Sequence, residues 1–226
     1  MYKLDATLDD VQNTRFFNIY SDLIKQMSKE TQFNEMEVQS ILLVYHKFVL
    51  DNGPKAKSMT IKQFNNLFFV LFKINDMQII ERTLKLITSE SQKDVDPLAW
   101  VKLLSVFLSS DLEQRMQFAY QIYDVGGKGA LTRLMVSLAV ENFFAIDDED
   151  ELNELRTDMV ELIFRKFDVD KDGIISYDDY SNVVRKQPML LEFLGQCFPN
   201  TNDLTIIAYC TNLLSKMRFF EGKLQE

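Results

Sequence analysis

One acidic stretch decides how this chain folds: Asp168-Val169-Asp170-Lys171-Asp172-Gly173-Ile174-Ile175-Ser176-Tyr177-Asp178-Asp179. A twelve-residue calcium loop supplies oxygen ligands from positions 1, 3, 5, 7, 9 and 12, and a glycine at position 6 allows the sharp turn. Gly173 occupies that turn position. The candidate ligands are Asp168, Asp170, Asp172, the Ile174 carbonyl, Ser176 and Asp179. Because carboxylates held close together repel one another without a cation, the stretch predicts a calcium site.

The last ligand position weakens the predicted site. It is usually a glutamate that reaches the metal with both carboxylate oxygens, whereas Asp179 is shorter by one methylene group. A single oxygen from Asp179 brings the site nearer to the six-fold coordination that magnesium prefers. We therefore expect a calcium affinity on the order of micromolar to tens of micromolar, with magnesium as a competitor.

An apolar helix face followed by a polar loop recurs along the chain. Apolar residues spaced by three and four precede three loops: Val160, Ile163, Phe164 and Phe167; Met116, Ala119, Tyr120 and Tyr123; Ile80, Leu84 and Ile87. These loops begin at 168, 124 and 88, and a weaker polar stretch begins at Asp51. Helix–loop–helix units form pairs because each leaves a half-buried face. We expect 51 to pair with 88 and 124 with 168, with Leu131 beside Ile175 in a short antiparallel bridge.

The loops that begin at 88 and 124 lack the ligands for a divalent ion. The loop from Asp124 keeps the turn glycine, Gly129. Its ligand positions 3, 5 and 12 hold Gly126, Lys128 and Met135. The glycine run in this loop does not have the spacing of a phosphate-binding loop. The loop at 88–99 has Lys93 at position 6 and Ala99 at position 12. The sequence predicts no metal in either loop.

The composition disfavours several classes of function. The chain has 226 residues, 46% of them apolar, and its 34 acidic and 25 basic side chains give a formal net charge of −9. This charge disfavours binding to nucleic acids or membranes, which need a basic face.

The apolar runs fall well short of the ~18 residues that suggest a membrane span. The start has no signal-peptide pattern, and Tyr2 stands where N-myristoylation needs glycine. We expect a soluble, intracellular and reduced protein.

The sequence does not predict an enzyme. The single histidine, His46, lies in an apolar helical stretch, where a core position is more common than a role as general base. Cys197 and Cys210 do not form a disulfide framework and are expected to be thiols. The chain shows no Ser/His/Asp set, no Cys/His set and no nucleotide loop.

The paired loops resemble the EF-hand superfamily, and two further stretches resemble the calaxin family of ciliary calcium sensors. These stretches are Ser110-Asp111-Leu112-Glu113-Gln114-Arg115-Met116 leading to Tyr123-Asp124, and Leu190-Leu191-Glu192-Phe193-Leu194-Gly195-Gln196-Cys197-Phe198-Pro199, with Trp100 as a third point of likeness. The resemblance implies an all-α fold of paired EF-hand helix–loop–helix units in two lobes, with additional N- and C-terminal helices. The resemblance runs from roughly 34 to 200, and the end segments are expected from their helical spacing alone. The expected parts are an N-terminal helical extension at 1–33, a degenerate EF-hand pair at 34–109, an EF-hand pair with one metal-competent loop at 110–187, and a helical tail at 188–226.

The resemblance also implies a function, namely a calcium-binding regulatory or adaptor subunit of the axonemal outer dynein arm in motile cilia or sperm flagella. The expected partners are dynein heavy chain or docking-complex components, and the expected location is cytoplasmic or cytoskeletal, in the axoneme. One alternative is a regulatory subunit of an enzyme or channel, as in neuronal calcium sensors and calcineurin B-like proteins. Another is a structural adaptor that does not respond to calcium. An apolar helix over 204–217 would fill a groove of its own protein or bind a partner.

Overall fold

The computed structural model describes residues 8–53, 56–88, 94–141 and 143–210. Within these residues helices predominate and the strands are two or three residues long, which confirms the all-α fold class. The helices are α1 (Asp10–Glu30), α2 (Glu35–Asp51), α3 (Ile61–Leu67), α4 (Met77–Ile87), α5 (Pro97–Phe107), α6 (Leu112–Tyr123), α7 (Arg133–Val140), α8 (Glu149–Phe167), α9 (Tyr177–Lys186) and α10 (Thr201–Cys210). The strands are β1 (Met59–Thr60), β2 (Asp94–Val95), β3 (Ala130–Thr132) and β4 (Ile174–Ser176). A π-helical turn spans Phe68–Phe72, and a 3-10 turn spans Pro188–Leu190.

The chain divides into two compact units, as the two-lobe fold predicts. The N-terminal unit comprises the described residues within 1–75, 87–108 and 199–226, and the C-terminal unit comprises those within 76–86 and 109–198. Helix α4 therefore belongs almost entirely to the C-terminal unit, although its loop strand β2 belongs to the N-terminal one. The boundaries at 33, 109 and 187 stay a prediction.

Each unit contains one pair of loops joined by a short antiparallel bridge. Met59 lies opposite Val95 in the N-terminal unit, and Leu131 lies opposite Ile175 in the C-terminal unit. The predicted pairing of loops, and the predicted neighbours Leu131 and Ile175, are therefore confirmed. A tyrosine hydroxyl from an earlier helix supports each bridge. Tyr45 donates to the Val95 carbonyl at 2.7 Å, and Tyr120 donates to the Ile175 carbonyl at 2.8 Å.

All four loops end on the same helix cap. In each, the residue at position 9 accepts a hydrogen bond from the backbone N–H three residues later. These pairs are Thr60 and Gln63, Asp96 and Ala99, Thr132 and Met135, and Ser176 and Asp179. The cap satisfies an N–H group that has no partner inside the helix. The shared cap also corrects the start of the first loop from Asp51 to Asn52, because α2 includes Asp51 and Thr60 then falls at position 9.

The core of the N-terminal unit is aromatic. Helix α1 packs against α2, and α2 packs against α5. The ring of Phe68 contacts those of Phe64, Phe72 and Phe107, and Phe72 also stacks on Trp100. This cluster includes the π-helical turn, against which α10 packs. In the apolar run at 67–72, Leu67, Phe68 and Phe72 are therefore buried within one unit, whereas Val70 is exposed.

The C-terminal unit has a second aromatic core, beside the predicted calcium loop. The ring of Phe193 stacks on Phe167 with centroids 4.1 Å apart and also contacts Tyr123 and Tyr180. Phe164 and Phe167, which precede the loop at 168–179, and Tyr180 and Val183, which follow it, are all buried. These side chains are therefore not exposed to solvent in this structure.

The two ends of the described chain are helical. Helix α1 confirms the predicted N-terminal helix, and α10 begins three residues before the predicted tail helix at 204–217. The part of that prediction beyond residue 210 lies outside the described residues, as do the side chains of 206–210. No helix in the described ranges combines the length and apolarity needed to cross a membrane.

Candidate metal centre

Three acidic side chains converge in the loop between α8 and α9. The carboxylates of Asp168, Asp170 and Asp172 each offer an oxygen atom within 4.8 Å of the others. Asp168 is half-buried, whereas Asp170 and Asp172 are exposed to solvent. Among the residues that the structure describes, this is the one group of three acidic, histidine or cysteine side chains with such spacing.

Hydrogen bonds to the backbone hold the carboxylates in place. Asp168 accepts from the N–H groups of Asp172 and Gly173, both at 3.1 Å. Asp172 in turn accepts from the N–H of Ile174 at 2.9 Å. Gly173 has φ of +85°, a backbone region that other residues adopt only with strain. The sharp turn at position 6 therefore has its expected physical basis.

The other three predicted ligands are placed differently. Ile174 begins strand β4, with its α-carbon opposite Thr132. Ser176 and Asp179 bond to each other, since the Ser176 hydroxyl donates to Asp179 Oδ2 at 2.6 Å and accepts from the Asp179 N–H at 3.1 Å. Asp179 also accepts from the Ser176 N–H and is only 6% exposed. The structure therefore assembles the three aspartates, whereas the Asp179 carboxylate accepts from Ser176 in the capping box at the start of α9.

The donor set fits a hard divalent cation. Calcium and magnesium bind carboxylate, carbonyl and hydroxyl oxygens, and the loop offers only oxygen atoms at the predicted positions. Two of the three converged carboxylates are exposed, so an ion reaches them from solvent without displacing a helix. The full set of six ligands stays a prediction, because Asp179 is engaged in the helix cap.

The loop that begins at Asp124 has the same backbone geometry as the loop at 168–179 but lacks its acidic side chains at positions 3 and 5. Asp124 Oδ2 accepts from the Gly129 N–H at 2.6 Å, just as Asp168 accepts from Gly173. Gly129 also has a positive φ, of +70°. No second or third carboxylate lies at positions 3 and 5, where Gly126 and Lys128 stand. The geometry of a calcium loop is thus retained where its ligands are absent, and the loop still pairs with the loop at 168–179.

The loop at 88–99 is described only in part, since residues 89–93 lie outside the described residues. Its second half pairs with β1 through Val95, and Asp96 caps α5 by accepting from the Ala99 N–H at 2.7 Å. The predicted absence of metal from this loop stays a prediction.

Sequence patterns did not identify a charged contact close to the site. Arg133, the first residue of α7, pairs with Glu161 of α8 at 2.5 Å, and its guanidinium lies 4.6 Å from the centre of the Phe164 ring. The hydrogen bond that Arg133 donates to Glu161 raises the pKa of the Arg133 guanidinium, and the charge of Asp168 adds a smaller contribution. A contact that joins residues 28 positions apart has no local sequence signature.

Burial also keeps the supporting tyrosine protonated. Desolvation raises the pKa of the Tyr120 hydroxyl, and the nearby charges of Asp124 and Asp179 add to this effect. The hydroxyl therefore remains a donor to the Ile175 carbonyl in the bridge between the two loops.

Comparison with known proteins agrees with this geometry. Residues 113–185 match the family described as the EF-hand domain pair, a stretch that contains both loops of the C-terminal unit. Residues 113–185 are an EF-hand pair. The assignment rests on both the sequence match and the two bridged loops with their common caps.

Beyond the EF-hand pair, most of the chain is similar to known proteins. Calaxin of Danio rerio is 25% identical over 190 residues, which cover 83% of this chain and 89% of that protein. Calaxin of Homo sapiens is 28% identical over 173 residues, covering 74% and 81% of the two chains. Guanylyl cyclase-activating protein 3 of Homo sapiens is 26% identical over 125 residues, covering 53% and 57%. The chain therefore resembles calaxin and, over a shorter part, guanylyl cyclase-activating protein 3.

Proposed function

We propose that this protein is a calcium-binding regulatory or adaptor subunit of the axonemal outer dynein arm in motile cilia or flagella. The observation that carries the proposal is the convergence of Asp168, Asp170 and Asp172 in a loop with EF-hand geometry. Calcium would be held by these carboxylates, the Ile174 carbonyl, Ser176 and Asp179. When bound, the ion would offset the repulsion among the carboxylates.

Asp179 is the residue through which metal binding would reach the rest of the unit. It lies in the first turn of α9. The next residue of that helix, Tyr180, is buried, and its ring contacts those of Phe167 and Phe193. In calcium sensors, binding at such a loop opens an apolar groove between helices. A reorientation of Asp179 would therefore act on the aromatic core of the C-terminal unit. Magnesium would compete for the same oxygens.

The axonemal part of the proposal rests on the similarity to calaxin, which extends well beyond the EF-hand pair. Dynein heavy chain and docking-complex components are the proposed partners, and the axoneme of a cilium or flagellum is the proposed location. The net charge of −9 agrees with a protein partner rather than a nucleic acid or an anionic membrane. In this proposal the protein acts as a subunit and has no catalytic activity of its own.

Two other functions have specific support. The similarity to guanylyl cyclase-activating protein 3 favours a regulatory subunit of an enzyme or channel. The loop from Asp124 keeps the turn geometry of a calcium loop but lacks the carboxylates at positions 3 and 5. This favours a structural adaptor that does not respond to calcium. The experiments below separate these functions.

A matched pair of variants tests the metal site. Asp168→Asn should abolish calcium binding in a calorimetric titration of the whole chain, because it removes a charged ligand at position 1. Asp124→Asn changes the equivalent residue of the neighbouring loop and should leave the titration nearly unchanged. Equal losses from the two variants, or no calcium binding by the unsubstituted chain at ~100 μM, well above the weak end of the sensor range, would refute the proposed site.

Co-purification tests the partner. The tagged chain should recover outer-dynein-arm components from ciliated cells in calcium, with a change in recovery when EGTA replaces calcium. Equal recovery in both conditions would support the adaptor that does not respond to calcium. Recovery of a cyclase, phosphatase or channel without axonemal proteins would contradict the axonemal proposal.

A further inference from the structure

A groove lies between α7 and α8, two helices that belong to the C-terminal unit. Its volume is about 480 Å³. The residues that form its walls include Leu134, Ser137 and Glu141 of α7 and Asn153, Thr157 and Val160 of α8. All of these except Val160 are exposed, so the groove is open to solvent. None of them is a predicted calcium ligand.

Helix α7 exposes two leucines one turn apart, the first of which lines the groove. Leu134 is 69% exposed and Leu138 is 46% exposed. The spacing of four residues places them on the same face of the helix. Val136 and Val140 are the residues that α7 buries within its own unit. The leucine pair is therefore apolar surface that a partner would stabilise by covering it.

Helix α8 carries an acidic stripe beside the groove, formed by Asp150, Glu154 and Asp158. These three side chains follow one another at four-residue steps and are exposed, and the last two each directly follow a groove residue. The positions three and four residues away from each of them hold further acids but no lysine or arginine. Since like charges at this spacing destabilise a helix, the stripe has a cost that cations from outside the helix would offset.

Most of the net charge of the chain is concentrated around this groove. Residues 133–161 contain nine acidic and two basic residues, a net charge of −7 in a chain whose total is −9. Both basic side chains are already engaged, because Arg133 pairs with Glu161 and Arg156 donates to the Glu141 carbonyl. The surface is therefore negative, and it attracts a cationic partner while it repels nucleic acids and anionic membranes.

The acidic stripe has the spacing of a helix partner rather than that of a metal site. Among the described residues, three acidic, histidine or cysteine side chains with ligand atoms within 4.8 Å of one another occur only in the loop at 168–179. Successive acids of the stripe lie about 6 Å apart along the helix axis. Lysines four residues apart on a second helix have the same spacing. The stripe therefore matches both the charge and the period of a basic helix.

We propose that the groove between α7 and α8 binds a basic amphipathic helix of a partner protein. The apolar side chains of that helix enter the groove and cover Leu134 and Leu138, while its lysines and arginines pair with the acidic stripe. All of these contact residues are exposed in the structure, so binding does not require the buried aromatic core to open. The inference goes beyond the proposed calcium site, and it rests on the proposed function only for which protein supplies the helix.

A synthetic peptide tests the surface without relying on calcium or on axonemal proteins. The probe is a labelled helix of about eighteen residues, with leucines on one face and lysines at four-residue steps beside them. Fluorescence anisotropy with the full-length protein should show saturable binding in EGTA. A scrambled peptide of the same composition should bind about tenfold more weakly, because it cannot present both groups together. Absence of saturable binding in EGTA, or equal binding of the two peptides, would overturn the proposal.

Two double variants distinguish the acidic stripe from the overall charge. Glu154→Gln with Asp158→Asn should weaken peptide binding about fivefold, because two exposed ion pairs are lost. Asp22→Asn with Glu81→Gln removes the same charge from exposed positions of α1 and α4 and should leave the binding nearly unchanged. All four positions are exposed, so neither double variant threatens the fold. Equal weakening by both would assign the binding to net charge and contradict the proposed surface.

A pair of leucine variants tests the apolar part of the surface. Leu134→Ser should weaken peptide binding about tenfold, because the peptide loses its apolar contact in the groove. Leu162→Ser changes a leucine of α8 that is 53% exposed and lies outside the groove, and it should leave the binding unchanged. The same affinity in both leucine variants would show that the peptide does not occupy the groove.

Discussion

At the scale of single residues, Asp179 decides the character of the metal site. Its carboxylate caps α9 through Ser176, and its side chain is one methylene group shorter than the glutamate usual at this position. An aspartate that serves the cap has little reach left for a metal ion. Asp168, Asp170 and Asp172 have no such second role, because their bonds are to backbone groups within their own loop.

We predict that Asp179→Glu tightens calcium binding by about one order of magnitude, with less effect on magnesium. Glutamate reaches a calcium ion with both oxygens, and it also suits a capping box that begins with serine, so the cap of α9 is preserved. Calorimetric titrations with each ion measure the change. Asp178→Glu adds the same methylene group at an exposed neighbour and should have no effect. Unchanged or weaker calcium binding in Asp179→Glu would show that position 179 does not ligate the ion.

At the scale of elements, the repeated unit is the cap at the end of each loop rather than the set of metal ligands. Thr60, Asp96, Thr132 and Ser176 all cap the following helix, whereas converging carboxylates occur in one of the described loops. A cap acts in every loop because helix ends need hydrogen-bond partners whether or not a metal binds. Loops that have lost their ligands therefore retain their geometry and still pair.

Removing one cap should destabilise its helix by a measurable amount. We expect Ser176→Ala to lower the free energy of unfolding by ~1 kcal/mol in calcium-free buffer, since the N–H of Asp179 loses its acceptor. Urea denaturation followed by circular dichroism measures this loss. Thr157→Ala serves as the control, because the Thr157 hydroxyl bonds to a carbonyl within α8 and caps nothing. A loss no larger than that of the control would mean that the cap does not stabilise α9.

At the scale of the molecule, an ion pair links α10, the last helix among the described residues, to the π-helical turn of the same unit. Lys73 Nζ lies 2.7 Å from Asp203, whose side chain is 2% exposed while that of Lys73 is 61% exposed. Asp203 Oδ2 has no hydrogen-bond partner among the described residues. The pair is therefore asymmetric. Loss of the lysine leaves a buried carboxylate without compensation, whereas loss of the aspartate charge leaves a hydrated ammonium group.

This asymmetry gives a prediction for stability. Lys73→Met should cost about 1–3 kcal/mol in the free energy of unfolding, and Asp203→Asn should cost less. In the double variant, Asp203→Asn should recover part of the loss caused by Lys73→Met, because the unpaired charge is gone. Urea denaturation measures all three, with Lys62→Met as the control at an exposed position. A larger cost for Asp203→Asn than for Lys73→Met would contradict the argument from burial.

Local spacing was sufficient to predict much of the fold and part of the site. The turn glycine and the alternate aspartates of 168–179 follow from the requirements of one ion, and they place Asp168, Asp170 and Asp172 together as the structure does. The bridge between Leu131 and Ile175 followed from their common position in two loops of equal length. The ligand positions and the turn were predictable because each is determined within one twelve-residue loop, and the bridge was predictable because the two loops repeat the same spacing.

Contacts between distant parts of the chain decided the rest. The first loop begins one residue later than its polar residues indicated, because α2 continues through Asp51 before the chain turns. The Lys73–Asp203 pair and the groove between α7 and α8 join side chains that no sequence period relates. Asp179 is the intermediate case: its residue type made it a candidate ligand, and in the folded loop its carboxylate accepts from Ser176 in the capping box of α9. Sequence alone determined which atoms could bind calcium, and the tertiary structure decided which of them already have a partner, because hydrogen bonding and burial depend on what packs nearby.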